Sequence, residues 1–136
     1  MLSKNKLIKA VTSDQEIAEL ASHLNIKLNG ILDIRSIKSS ALARSLPSIG
    51  SYIILQRLDD NTGHWVAVHN NEYFDSMGIP APPKLGIKKY NEIQYQGSRN
   101  TYCGIYCILW LYSKQFNKPE LMDGFIDLDT DVILLK

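Results

Sequence analysis

Three β-prone runs between residues 51 and 76, separated by two polar breaks, constrain this chain more than any other feature. The first, residues 51–58 (SYIILQRL), is dense in Ile, Leu and Tyr and reads as a central strand. Residues 59–63 (DDNTG) form a polar turn, and residues 64–69 (HWVAVH) read as a second strand. Asn70 and Asn71 then supply a short turn of the kind that tolerates positive φ. Residues 72–76 (EYFDS) read as a third strand, ended by Gly78. The predicted product is an antiparallel meander.

Helical signals flank it. Ser13-Asp14-Gln15-Glu16 has the form of a capping box. Ile17, Leu20, Ala21 and Leu24 follow at the spacing of one apolar helix face, with His23 read as a surface residue. Asn29-Gly30 is a turn signal, and residues 36–46 predict a second helix stopped by Pro47. After the meander, Pro80, Pro82 and Pro83 stiffen a loop. A short helix and then a strand are expected within residues 84–95, and a central helix from 103 to about 116. Residues 132–135 read as a small terminal strand or docked end. Together these predict one α+β domain over residues 1–136, an antiparallel sheet packed against the central helix, with N-terminal helices beside it.

Bulk properties narrow the function classes. A formal charge of +1 gives no general reason to expect nucleic-acid or membrane binding. No apolar run approaches the roughly 18 residues of a membrane span, and the basic start MLSKNKLIKAV lacks the apolar core of a secretory signal. Lys4, Lys6 and Lys9, or Lys84, Lys88 and Lys89, could meet a polyanion, but they read as solvated faces. The two cysteines, Cys103 and Cys107, are one helical turn apart, which points away from a disulfide framework and towards a reducing compartment.

Cys103 lies where a loop becomes the central helix. A helix start carries unpaired N–H groups and a partial positive charge, and it favours thiolate, the nucleophilic form of cysteine. Gly104 beside it lets another chain approach the sulfur closely. Cys107 reads as a core residue, and a zinc site built on the two cysteines lacks a convincing fourth ligand. A thiol nucleophile also needs a base, an orienter for the base and oxyanion donors. His64 opens one strand and Asp75 closes the next. A two-residue turn at Asn70-Asn71 makes them diagonal neighbours on one face, and moving the turn by one residue puts them directly opposite. Trp65 points to the other face as core packing, with His69 on its side as the weaker base candidate. The Gln96 amide could donate to an oxyanion with the Cys103 N–H, and Gln94 is its rival two residues away.

The order His, Asp, Gln, Cys, carried by Gly-His-Trp, Tyr-Phe-Asp-Ser-Met-Gly and Gln-Gly-Ser-x3-Tyr-Cys-Gly-Ile-Tyr-Cys, resembles the adenovirus-type (adenain-like) cysteine peptidases. The wider group includes the SUMO-specific proteases. The resemblance covers residues 50–116, and its glutamine-to-cysteine spacing agrees with the adenoviral form. The eleven-residue gap from His64 to Asp75 is shorter than the group's, implying a clipped hairpin, and adenoviral enzymes carry glutamate where Asp75 stands. The resemblance implies the adenain-like fold, with Cys103 as nucleophile, His64 as base, Asp75 as orienter and Gln96 as oxyanion donor. It further implies a monomeric endopeptidase without a cofactor that cleaves after small or glycine-rich sites. The substrates would be viral capsid or core precursors, in the virion and in the host cytoplasm or nucleus. A peptide or DNA activator belongs to the same picture, although the adenoviral C-terminal region that meets the activating peptide has no visible counterpart here. The alternatives are a protease that removes ubiquitin-like modifiers and an inactive binding module of the same fold.

Overall fold

The computed structural model describes residues 13–36, 49–57, 63–95 and 103–125. The helix expected over residues 36–46 falls outside this set beyond Ser36, as do the basic lead-in and the terminal run at 132–135.

Helix α1 spans Asp14–His23, and the capping box forms as its sequence requires: Glu16 N–H donates to Ser13 Oγ, and the Glu16 carboxylate accepts from Ser13 N–H. Such a cap contributes about 1 kcal/mol. Burial of Ile17 and Leu20 contributes roughly 1.5–3 kcal/mol for each side chain, so packing outweighs the cap in holding α1.

The described strands form one five-stranded sheet in chain order: β1 (Gly30–Asp33), β2 (Ser51–Arg57), β3 (Gly63–His69), β4 (Glu72–Phe74) and β5 (Lys89–Tyr90). The expected meander is β2-β3-β4, antiparallel throughout. Its register follows from Asn70 and Asn71, both at positive φ (47° and 64°), which pair His69 with Glu72 and Ala67 with Phe74. The wholly antiparallel expectation needs correction, because β1 joins β2 in parallel and β5 joins β4 in parallel, making the sheet mixed.

The Asn29-Gly30 turn reading fails for a related reason. Gly30 begins β1 opposite Tyr52, whose ring would lie 3.3 Å from a Cβ there, and the Asn29 carboxamide accepts from Ser51 N–H at 2.8 Å. The third strand also ends two residues earlier than expected, at Phe74. The strand expected near residue 94 is β5 instead, preceded by a 3-10 turn at Pro83–Leu85 that proline can start because its missing N–H is not needed there.

Alternation divides the sheet's faces. Ile53, Trp65, Ala67 and Phe74 pack against α1 and against helix α2, Cys103–Gln115. Tyr52, Ile54, Val66, Val68 and Tyr73 are covered by Leu85 and Ile87 from the loop before β5. Burial on both faces explains why β2 reads as a continuous apolar run with no polar alternation. Helix α2 is apolar almost all round because it lies between the sheet, α1 and the 3-10 segment Pro119–Phe125.

Candidate active site

Strand β4 stops at Phe74, so the β3–β4 ladder reaches back only to Ala67. The outer edge of β3 at His64 and Trp65 is therefore free to meet something else. What it meets is the first residue of α2: Trp65 N–H donates to Cys103 Sγ at 3.5 Å. The sulfur thus sits between a strand edge and the positive end of a helix whose remaining turns are fixed in the core.

His64 Nε2 lies 2.7 Å from Asp75 Oδ1, and Cys103, held by the N–H of the next residue, Trp65, is near enough to influence the ring's protonation. With Nε2 committed to the carboxylate, Nδ1 is the nitrogen left for the sulfur. Burial is the largest influence on His64 and pulls its pKa down. The hydrogen bond to Asp75 and the nearby Cys103 side chain, together with the charges of both, outweigh that pull and push it up to about 10. His64 therefore holds its proton through neutral pH.

Asp75 is held from several sides. Its side chain is 3% exposed, and Oδ1 also accepts from Met77 N–H at 2.8 Å. Its carbonyl accepts from Gly78 N–H at 2.8 Å, closing a turn that places Gly78 at φ 75°. The Asn91 side chain takes the Asp75 N–H (2.9 Å) and donates to the Asp75 carbonyl (2.7 Å). Sequence reasoning missed Asn91 and the Trp65 and Met77 amides. The amides carry no side-chain signature, and nothing in the sequence around Asn91 places it beside residue 75.

Three predicted groups, His64, Asp75 and Cys103, are thus brought together. The fourth, Gln96, lies outside the described residues. Its rival Gln94 is exposed, with its backbone N–H alongside Gly78.

The other candidates lie elsewhere. Cys107 is fully buried, and burial, helped by the charges of Cys103 and Asp75, drives its thiol pKa well up, leaving it inert. Trp65 packs in the core under α2. His69 stands at the far end of β3, roughly 17 Å along the strand from His64. Burial and the Lys114 charge lower its pKa against the opposing pull of Glu72. Ser51 Oγ accepts from Gln115 and lies 2.7 Å from His69 Nδ1, the pattern of a neutral structural imidazole. His23 is exposed at the end of α1. Of the basic residues, Lys84 donates to the Ile34 carbonyl and Lys89 pairs with Glu72 at 3.5 Å, while Lys4, Lys6 and Lys9 lie outside the described residues.

Compared with known proteins, the chain matches no family model, no curated protein and no solved structure. Among the described residues, no helix is long and apolar enough to cross a membrane.

Proposed function

We propose that this protein is a cysteine endopeptidase that cleaves protein precursors after small, glycine-rich sites. The observation that carries the reading is one imidazole bonded to a buried carboxylate, with a helix-start thiol held by the N–H of the residue next to that imidazole.

The chemistry follows from where the proton sits. Cys103 attacks the scissile carbonyl carbon as thiolate, and the displaced π electrons become the oxyanion. That charge is met by the Cys103 N–H and the Gln96 amide. Collapse breaks the C–N bond while the His64 imidazolium gives its proton to the leaving amine, so a thioester remains. Neutral His64 then takes a proton from water, hydroxide adds to the thioester, and the second collapse releases the carboxylic acid and restores the thiolate–imidazolium pair. Asp75 keeps the imidazole aimed throughout and supports its positive charge.

The motif order and the spacing from Gln96 to Cys103 support the adenain-like form of this chemistry, hence capsid or core precursors of a virus as substrates. The test is a cleavage assay of wild type and Cys103→Ala against two panels, virion precursor proteins and conjugates of ubiquitin-like modifiers. Cleavage of precursors by wild type alone supports the proposal. Cleavage confined to the conjugates moves the substrate to modifier tails. Silence on both panels, or activity retained by Cys103→Ala, refutes the peptidase assignment.

A further inference from the structure

We propose that Asn91 is a positioning residue for the catalytic pair, its side chain standing in for a sheet neighbour so that Asp75 can leave the ladder and aim at His64. This inference rests on the peptidase reading and adds a part to it.

Asn91 directly follows β5, which runs parallel to β4 through the pairs Glu72–Lys89 and Tyr73–Tyr90. Both strands end there. A backbone neighbour at Asp75 would satisfy its N–H and C=O but would also hold it in extended register. The Asn91 carboxamide satisfies the same two groups, at 2.9 and 2.7 Å, and its Nδ2 also donates to the Ile93 carbonyl at 2.9 Å. One planar amide therefore ties Asp75 to the segment after β5 while the chain turns at residues 75–78. The turn brings Oδ1 to His64 Nε2 and to Met77 N–H together.

A free local turn would not fix that aim. Asp75 is 2% exposed, and the Asp75 N–H has Asn91 as its partner, so without the carboxamide the peptide must shift or take up water. Water has a route. Asn91 lines an open cavity of about 340 Å³ together with Glu72, Tyr95, Trp110 and Lys114. Truncation there leaves a wettable gap, and the fold has a way to survive while Asp75 loses its fixed orientation.

The experiment compares Asn91→Ala and Asn91→Asp with wild type in the full chain. It measures kcat and KM, the His64 titration by NMR, and thermal midpoints. Among the described residues, the titratable groups facing His64 are Asp75 and Cys103; Gln56, opposite it on β2, is uncharged. Misplacement of a catalytic group by about 1 Å costs up to roughly 10²-fold in rate. The expected result for Asn91→Ala is a 10- to 100-fold fall in kcat with KM within about threefold of wild type, and a lower His64 midpoint. Asn91→Asp keeps the acceptor for Asp75 N–H but turns a carboxylate oxygen towards the Asp75 and Ile93 carbonyl oxygens where Nδ2 had donated, so its kcat should fall by at least about tenfold as well; it also serves if the alanine variant does not fold. Unchanged kcat and unchanged His64 titration with only a lower thermal midpoint would overturn the proposal. A wild type silent on every substrate, with His64 still shifted by Asn91→Ala, would refute the peptidase reading and support the positioning role.

Discussion

Asp75→Asn isolates charge from geometry at this site. Both His64 Nε2 and Met77 N–H address the same oxygen, Oδ1, at 2.7 and 2.8 Å. In the variant the carboxamide oxygen must take that position, because an NH2 group cannot face the Met77 N–H. The same oxygen still accepts from His64 Nε2–H, so the imidazole keeps its tautomer and its aim, and what disappears is the negative charge. A rise from 6.5 to about 10 corresponds to about 5 kcal/mol of preference for the protonated ring. That is the net after the opposing pull of burial, so Asp75 and Cys103 together supply at least that much. If the carboxylate supplies about half, its loss weakens the imidazolium by roughly 2–3 kcal/mol, or on the order of 10²-fold in rate. The stability consequence has a definite sign. A group whose pKa is higher folded than unfolded contributes stability that is fully present below about 6.5 and fades as pH rises towards about 10. Wild type should therefore lose thermal stability between those limits, and Asp75→Asn should flatten that slope. The assay is an NMR titration of His64 beside melting curves at half-unit pH steps. A variant whose His64 still titrates near 10, or whose turnover stays within threefold of wild type, would refute the assignment of that proton to the Asp75 charge.

A thiol-reactive peptide mimic should label Cys103 and spare Cys107, whose thiol is buried and held neutral; mass spectrometry of the digested protein reads the site, and preferential labelling of Cys107 would contradict the arrangement. Gln96→Ala should lower kcat by roughly 10²-fold if its amide supplies one oxyanion bond, and an equal loss from Gln94→Ala instead would transfer the role. Gly78→Ala places a Cβ at φ 75° and 3.3 Å from the Gln94 backbone nitrogen, so it should cost about 1–2 kcal/mol in a denaturant melt; an unchanged midpoint would show that the turn holds no strain.

The meander was legible because alternation and a two-residue asparagine turn fix register together. Once Asn70-Asn71 is the turn, the parity that brings His64 to Asp75 follows without any knowledge of the rest of the fold. The edge strands were not legible. β1 is four residues long, opens with a turn-like Asn-Gly, and gets its pairing from Tyr52 and the residues after it, more than twenty positions away. β5 has two residues and no pattern to read. Such short strands exist because a neighbour offers them an edge, and a neighbour's edge is a tertiary fact. The same limit hid Asn91, whose role depends on lying next to a peptide sixteen residues earlier.

The early end of β4 connects these observations. Two more residues of β4 ladder would pair Val66 with Asp75 and Trp65 with Ser76, continuing the register of Ala67 with Phe74. The Trp65 N–H would then face a strand and not the Cys103 sulfur. Asp75 would be held extended, its N–H and C=O taken by backbone neighbours. Neither the turn that carries Oδ1 to His64 nor the place for the Asn91 carboxamide would survive. Sequence alone favours continuing the strand, since no glycine or proline intervenes before Gly78. What stops it is the combination of Gly78 at positive φ, the Met77 N–H captured by Oδ1 and the side-chain clamp after β5. The geometry of the proposed site is therefore made where the sheet is interrupted, and changes that restore the β4 ladder should lower turnover even where they raise stability.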